Sequence, residues 1–395
     1  MSELNWAREA LDKVIKKEKK VLERNKGKIP YTAVDHVFDD KSKDNICWWT
    51  NGFYGGLLWQ LYKETGDAEY KEAAEVIEEK LDANFLDYNG MDHDSGFKWL
   101  LTAVADYKFT GNKKSRNRAL LAAANLAGRY NIEGEFIRAW NDWGDDRDTR
   151  GWAIIDCMMN LPLLYWASKE LDDPRFKHIA VKHANTAMES FIREDGSSRH
   201  IVEFDLNEKK FVREYGGQGY GEGTAWTRGQ TWAIYGFVMS YIHTGDIRYL
   251  EASTRVADFF VDHIPDTNLI PVDFLQPAEP SYEDSTAAAI AGCGLLHLAD
   301  ELKKLKEKQI KTGENEQELL DKLTSSAPVK YSEAALRILK TLTESRCDFD
   351  PEHDDLVINC TAAYHDKDHH FPIIYGDYYY IEALLYVLGK GEYLW

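Results

Sequence analysis

RGQTWAIYGFVMSYIHTGDIRYLEASTRVADFFVDHI, residues 228–264, carries the pattern that decides the fold. From Thr231 to Tyr241 nearly every side chain is apolar or small, so a helix here must be buried on all sides. The turn Thr244-Gly245-Asp246 then opens an amphipathic, charged stretch whose helix lies outside. The unit recurs loosely along the chain. Residues 49–67 lead into 68–85, 95–112 into 113–130, 150–173 into 174–192, and 284–305 into 331–346. A last apolar stretch, 376–389, has no charged successor. The first predicted helix, about 3–24, supplies it, with Trp6, Ala10, Leu11, Val14 and Ile15 on one face.

Six apolar and six amphipathic helices predict an all-α fold, an (α/α)6 barrel with six inner and six outer helices. Short turns (TGD, TGN, DDP, TGD) join inner to outer helices, as antiparallel neighbours require. The longer returning connections hold the unusual residues, above the inner-helix N-termini, whose dipoles favour an anion. The expected organisation is one catalytic domain, 1–395. A charged, exposed connector, partly helical, is expected at about 303–328. Short hairpins or extended loops are expected at 195–222 and 265–284.

A formal net charge of −19 excludes a general nucleic-acid binder. No run of about 18 apolar residues predicts a membrane span, and no apolar core of a signal peptide is visible. The five cysteines are widely spaced and mostly in apolar surroundings, the pattern of reduced thiols in a cytoplasm. No cofactor is expected: Gly217-Gln-Gly219-Tyr-Gly221 lacks the βαβ setting of a dinucleotide fingerprint. No metal is expected either. The acidic run Asp142, Asp145, Asp146, Asp148 has Arg150 and Cys157 where a calcium loop needs ligands. His178 and His183 are badly spaced for one metal and read as solvated. The oligomeric state is left open.

Gly216–Gly236, GGQGYGEGTAWTRGQTWAIYG, is the chemically densest stretch. Its glycines let backbone approach a ligand, Thr227 is a plausible N-cap, and Trp226, Arg228, Gln230 and Trp232 suit a flat, hydroxylated, anionic ligand such as an acidic sugar. Asp94, in MDHDSGF, precedes the second inner helix, whose N-terminus favours the charged carboxylate. Asp156 is read as lying inside the third inner helix, among Ile154, Ile155, Cys157 and Met158. Burial there raises its pKa, as a general acid requires. Trp49, Phe97, Trp140, His200, Gln218, Arg228 and Trp232 are placed at the barrel mouth.

WTNGFYGGLLWQLY, HDSGF, RGWAIID, GQGYGEGTAWTRGQTWAIYG, DSTAAAIAGCGLLHLA and IYGDYYYIEALL, spread over roughly 45–390, resemble in order the motifs of glycoside hydrolase family 88, the unsaturated glucuronyl hydrolases. The resemblance implies an (α/α)6 barrel without metal, acting on oligosaccharides with a 4,5-unsaturated uronic acid at the non-reducing end. It implies that Asp94 and Asp156 are the catalytic pair. It implies substrate binding by Trp49, Phe97, Trp140, His200, Gln218, Gly219, Arg228, Trp232 and Lys367. Asp156 is expected to protonate C4 of the enol ether and then take a proton from water adding at C5. Asp94 is expected to orient the uronate and stabilise developing charge. In TAAYHDKDHH, Lys367 stands without the serine pair that accompanies 6-sulfate preference in some members. The rivals are an unsaturated rhamnogalacturonyl hydrolase, a sugar epimerase needing a pair of mouth histidines, and a non-catalytic sugar-binding protein.

Overall fold

The computed structural model describes residues 4–141, 147–312, 327–391 and 394–395. The inner helices are Phe53–Thr65, Ser95–Trp99 continued through Ala105–Thr110, Leu161–Leu171, Thr227–Thr244, Ser285–Thr312 and Ile374–Val387. The outer helices are Asn5–Arg24, Ala68–Leu81, Lys113–Gly128, Arg175–Phe191, Ile247–Asp262 and Ala327–Ser345. Each inner helix packs on the next, and Ile374–Val387 returns to Phe53–Thr65, which closes the (α/α)6 barrel. Asn5–Arg24 lies against Ile374–Val387, as the unpaired last stretch required.

The inner-to-outer turns follow from their residues. Gly66, Gly111 and Gly245 adopt φ of 72°, 76° and 77°, the left-handed helix stop that glycine takes without steric cost. The next residue but none, Asp67, Asn112 or Asp246, accepts the N–H of Glu69, Lys114 or Arg248 and caps the following outer helix. Inner helices are buried nearly all round: Trp59, Trp99, Trp232, Tyr235, Tyr378 and Tyr379 are all fully buried. Gly56 is one reason they can meet, because a Cβ there would fall 2.8 Å from Tyr378 and 2.9 Å from Leu101.

Several expectations are corrected. RGWAIID is not helical. Trp152–Ile154 is a strand pairing with Ile201–Phe204, which pairs in turn with Phe211–Tyr215 in an antiparallel sheet. The run is apolar because it is a buried strand, and periodicity cannot separate that from a buried helix. A tight turn, Ile155–Met159, carries Asp156, and the helix begins only at Leu161, with Pro162 in its first turn. The second inner helix widens into a π turn at Leu100–Val104. Thr227 does not cap its helix; its hydroxyl donates to Pro271 O at 2.7 Å. His183 is not solvated: it is buried and its Nδ1 accepts the Ile137 N–H at 3.0 Å.

Residues 303–312 continue the inner helix that starts at Ser285, with Lys303, Lys304, Lys306 and Glu307 exposed. The rest of the expected connector, 313–326, lies outside the described residues, as do Asp142, Asp145 and Asp146. Asp148 pairs with Arg150 at 2.7 Å. The expected hairpin within 195–222 is the sheet pair above, and 265–284 is extended, with Pro271 bridging Glu283. The five cysteines are free thiols. Among the described residues no helix is long and apolar enough to cross a membrane.

Candidate active site

A cavity of about 420 Å³ opens at the end of the barrel where the inner helices begin. Asp94 and Asp156 form its floor, and Trp48, Trp49, Trp140, Trp226 and Trp232 wall it. Asp94 is the residue before the helix Ser95–Trp99, but its side chain caps nothing. Asn160 does that work. Its Oδ1 accepts the Phe97 N–H at 2.8 Å, while its Nδ2 donates to Asp94 Oδ1 at 3.2 Å and to the Asp156 carbonyl at 3.4 Å. One amide thus ties the two carboxylate-bearing segments together. Gly96 permits it, since a Cβ there would lie 2.5 Å from the Asn160 Cα. Asp156 is held by its backbone: the Ile155 N–H donates to His200 O at 3.1 Å, fixing the strand from which the turn departs.

His93 sits between the two acids. Its Nε2 is 3.6 Å from Asp94 Oδ2 and 3.6 Å from Asp156 Oδ1. It is fully buried, neither ring nitrogen has a hydrogen-bond partner among the described residues, and burial pushes its pKa down to about 3. The ring is therefore neutral in ordinary buffers.

Burial raises both carboxyl pKa values, and not equally. Asp94 is pushed up to about 6 by burial, opposed by the Lys98 charge and the Asn160 hydrogen bond. Burial thus outweighs the helix N-terminus, which was expected to favour the charged form. Asp156 rises further, first through burial, then through the charges of Asp94 and Asp92, with Arg228 opposing. Two buried acids this close, each raised and each raising the other, favour carrying a single charge between them over two. The Asp156 side chain is 17% exposed against 6% for Asp94, so Asp156 is the acid that faces the cavity more openly. One atom each from His93, Asp94 and Asp156 lie within 4.8 Å of one another. This trio could also hold a cation; the acid–base chemistry below needs none.

Of the nine residues expected to bind substrate, Trp49, Trp140, Gln218, Arg228 and Trp232 line the cavity together with both aspartates. Four do not. Phe97 stands behind the wall, 5.5 Å from the Trp49 ring and 5.2 Å from Trp232. His200 packs against Trp226 with ring centroids 4.0 Å apart and planes tilted by 36°, and burial lowers its pKa to about 3. In the neutral ring Nδ1 accepts the Gln218 N–H at 3.0 Å. Gly219 packs on Asp273, whose carboxylate also takes the Tyr220 and Ala225 N–H groups at 3.0 Å and so holds the glycine-rich turn. Lys367 is exposed; its neighbours Ala363 and Asp366 reach the cavity instead.

Arg228 lines the cavity with its fork already engaged. It pairs with buried Asp284 at 2.5 Å and donates to the carbonyls of Thr361 and Ala362 at 2.9 and 2.5 Å. Gln218 Nε2 also donates to Ala362 O, at 2.9 Å, and its own carbonyl accepts the Tyr364 N–H. Both therefore clamp the 361–364 loop onto the site.

Sequence reasoning missed His93, Asn160, Asp273 and Asp284. His93 adjoins Asp94 in MDHDSGF and Asn160 follows Asp156 by one helical turn, so spacing alone could have raised both. Asp273 and Asp284 are remote from their partners in sequence and carry no local sign.

The profile of Glycosyl Hydrolase Family 88 matches residues 21–243. The unsaturated glucuronyl hydrolase of Bacillus sp. (strain GL1) is 34% identical over 363 residues, covering 89% of each chain. The unsaturated chondroitin disaccharide hydrolase of Streptococcus pyogenes serotype M1 is 32% identical, over 85% of this chain and 80% of that one. The crystal structure of the unsaturated glucuronyl hydrolase from Bacillus sp. GL1, responsible for the degradation of glycosaminoglycan, superposes with a TM-score of 0.87 at 29% identity, covering 98% of this chain and 99% of that one.

Proposed function

Since this chain belongs to glycosyl hydrolase family 88, we propose that it removes the 4,5-unsaturated glucuronic acid from the non-reducing end of lyase-generated, glycosaminoglycan-type oligosaccharides, with 1–395 acting as one catalytic domain. The observation that carries this reading is the pair of unequal carboxyls on the cavity floor.

Asp156 is the proton donor. It delivers its proton to C4 of the enol ether; the C4–C5 π electrons form the new C–H bond and positive charge develops at C5 and the ring oxygen. The Asp94 carboxylate faces that charge and stabilises it electrostatically. Water adds at C5 and gives its proton to the Asp156 carboxylate, which restores the acid. The hemiketal at C5 opens, and the resulting C1 hemiacetal releases the next sugar as an alcohol. The anomeric carbon is never attacked, so the distance between the acids does not set a stereochemical outcome as it does in ordinary glycosidases.

The tryptophan walls suit a sugar ring. The charges of the lining are unequal: Asp92, Asp94 and Asp366, with Asp156 as the proton donor, against Arg228, itself paired with Asp284. That balance supports a neutral sugar beyond the uronate over a sulfated one. Gln218 and Arg228 bind mainly by holding the loop in place, and Trp49, Trp140 and Trp232 by contact. Free cysteines are in keeping with a cytoplasmic site of action.

The test is a panel of unsaturated disaccharides from chondroitin, hyaluronan, heparin and rhamnogalacturonan, followed by loss of the ultraviolet absorbance of the enol ether. Turnover of the unsulfated glucuronyl substrates is expected. Turnover of the rhamnogalacturonan disaccharide alone would assign the chain to pectin fragments, and binding without turnover would make it a sugar-binding protein.

A further inference from the structure

A second cavity, of about 630 Å³, opens at the opposite end of the barrel, where the inner helices finish. Leu100, Val104, Pro162, Met239 and Trp395 contribute to its wall. Trp395 belongs to no helix, yet its side chain enters the barrel axis. It stacks on Tyr379 with centroids 5.8 Å apart and planes 5° apart, and meets Phe97 edge-on at 5.9 Å. Its Nε1–H donates to buried Glu382 at 2.9 Å.

Those two neighbours are the back of the catalytic cavity. Phe97 lies 5.5 Å from Trp49 and 5.2 Å from Trp232, and Tyr379 lies 5.6 Å from Trp232. A continuous column of rings therefore runs from the far cavity to the substrate-facing tryptophans. Asp94 and Asp156 are tied by the Asn160 amide, which also accepts the Phe97 N–H, and by the strand anchored at His200, whereas Trp395 meets Phe97 ring to ring. We propose that Trp395 is a positioning residue for the substrate-binding wall: its ring, wedged on the barrel axis, sets where Trp49 and Trp232 stand, and so governs binding without governing the chemical step. Well-packed interiors pass displacement along contacting rings in this way, because they lack the free volume to absorb it.

This rests on the proposed function only for its substrate. Trp395→Ala should raise KM for the unsaturated disaccharide about tenfold while kcat stays within about twofold. The ring-shaped gap it leaves adjoins the open far cavity, so added indole should enter and bring KM back. Trp395→Phe keeps a ring against Tyr379 and removes only one donor to Glu382, which still accepts from the Tyr235 and Tyr378 hydroxyls, and should behave nearly as wild type. Where Trp395→Ala does not fold, Trp395→Leu takes its place with the same expected split. ¹⁹F NMR of the 5-fluorotryptophan protein reads the wall without substrate: the Trp49 and Trp232 resonances should shift in the truncated variant and return with indole. The proposal is overturned if those resonances stay put, if kcat falls as much as kcat/KM, or if Trp395→Phe is as impaired as Trp395→Ala. A wild-type protein that turns over no unsaturated disaccharide, with the resonances moving as described, would sink the functional reading and leave the wedge standing.

Discussion

Asp94→Asn should make the protein more stable and less active. Asp94 is nearly enclosed and its pKa is raised from 3.8 to about 6. An acid with a raised folded-state pKa costs no stability below its unfolded value. The cost grows as pH climbs between the two values and is complete above the folded one. About two pKa units at about 1.4 kcal/mol each make that cost about 3 kcal/mol at pH 7. Asparagine is nearly isosteric, still accepts the Asn160 amide, and never has to ionise. With an unfolding entropy of about 2.1 cal/mol/K per residue, the gain is about 3–4 °C in Tm at pH 7. It should shrink from pH 6 downward and vanish below about pH 4. Turnover should fall, because the anion that stabilises C5 is gone. Thermal melts of both proteins from pH 4 to 7.5, paired with the absorbance assay, measure both effects. A variant that is no more stable at pH 7 than at pH 4, relative to wild type, would refute the claim that a buried charge sits on Asp94.

Asp156→Asn should leave fold and substrate binding intact and lower kcat at least about a thousandfold; wild-type reaction in heavy water should place deuterium at C4, and ¹⁸O-water should label C5, whereas label at the anomeric carbon contradicts the mechanism. The wild-type kcat/KM should fall tenfold per unit as pH drops below about 6, where Asp94 takes up a proton, and this acid limb should be missing from whatever activity Asp94→Asn retains. Asp284→Asn strands the fully buried Arg228 charge and should cost about 3–5 kcal/mol, with KM raised as the 361–364 loop loosens; Arg228→Lys should move both quantities the same way, since a lysine cannot span Asp284 and two carbonyls. Gly96→Ala gains about 1 kcal/mol of helix propensity, but its Cβ meets the Asn160 backbone at 2.5 Å, so calorimetry should show net destabilisation and kinetics a lower kcat.

The barrel was legible in the chain because its cause is local. An inner helix must be apolar all round, an outer one amphipathic, and glycine followed by Asp or Asn writes the turn between them; each is a property of consecutive residues. Asp156 stood out for the same reason, as a carboxylate in a setting where one is costly, and Asp94 as a carboxylate just before a helix N-terminus. What the chain could not disclose was which atoms meet. RGWAIID looked like a helix because a strand buried on both faces has the same composition, and only its partner, Ile201–Phe204, decides between them. Arg228 looked like a hand free for a carboxylate until Asp284, 56 residues on, occupied it. His93 and Asn160 acquire their roles only when the second and third inner segments come within hydrogen-bond reach. The division follows from the range of the forces. Helix and turn preferences act over a few residues of one chain segment, whereas a pKa or a hydrogen-bond partner depends on everything within several ångströms, most of it supplied by segments far away in sequence.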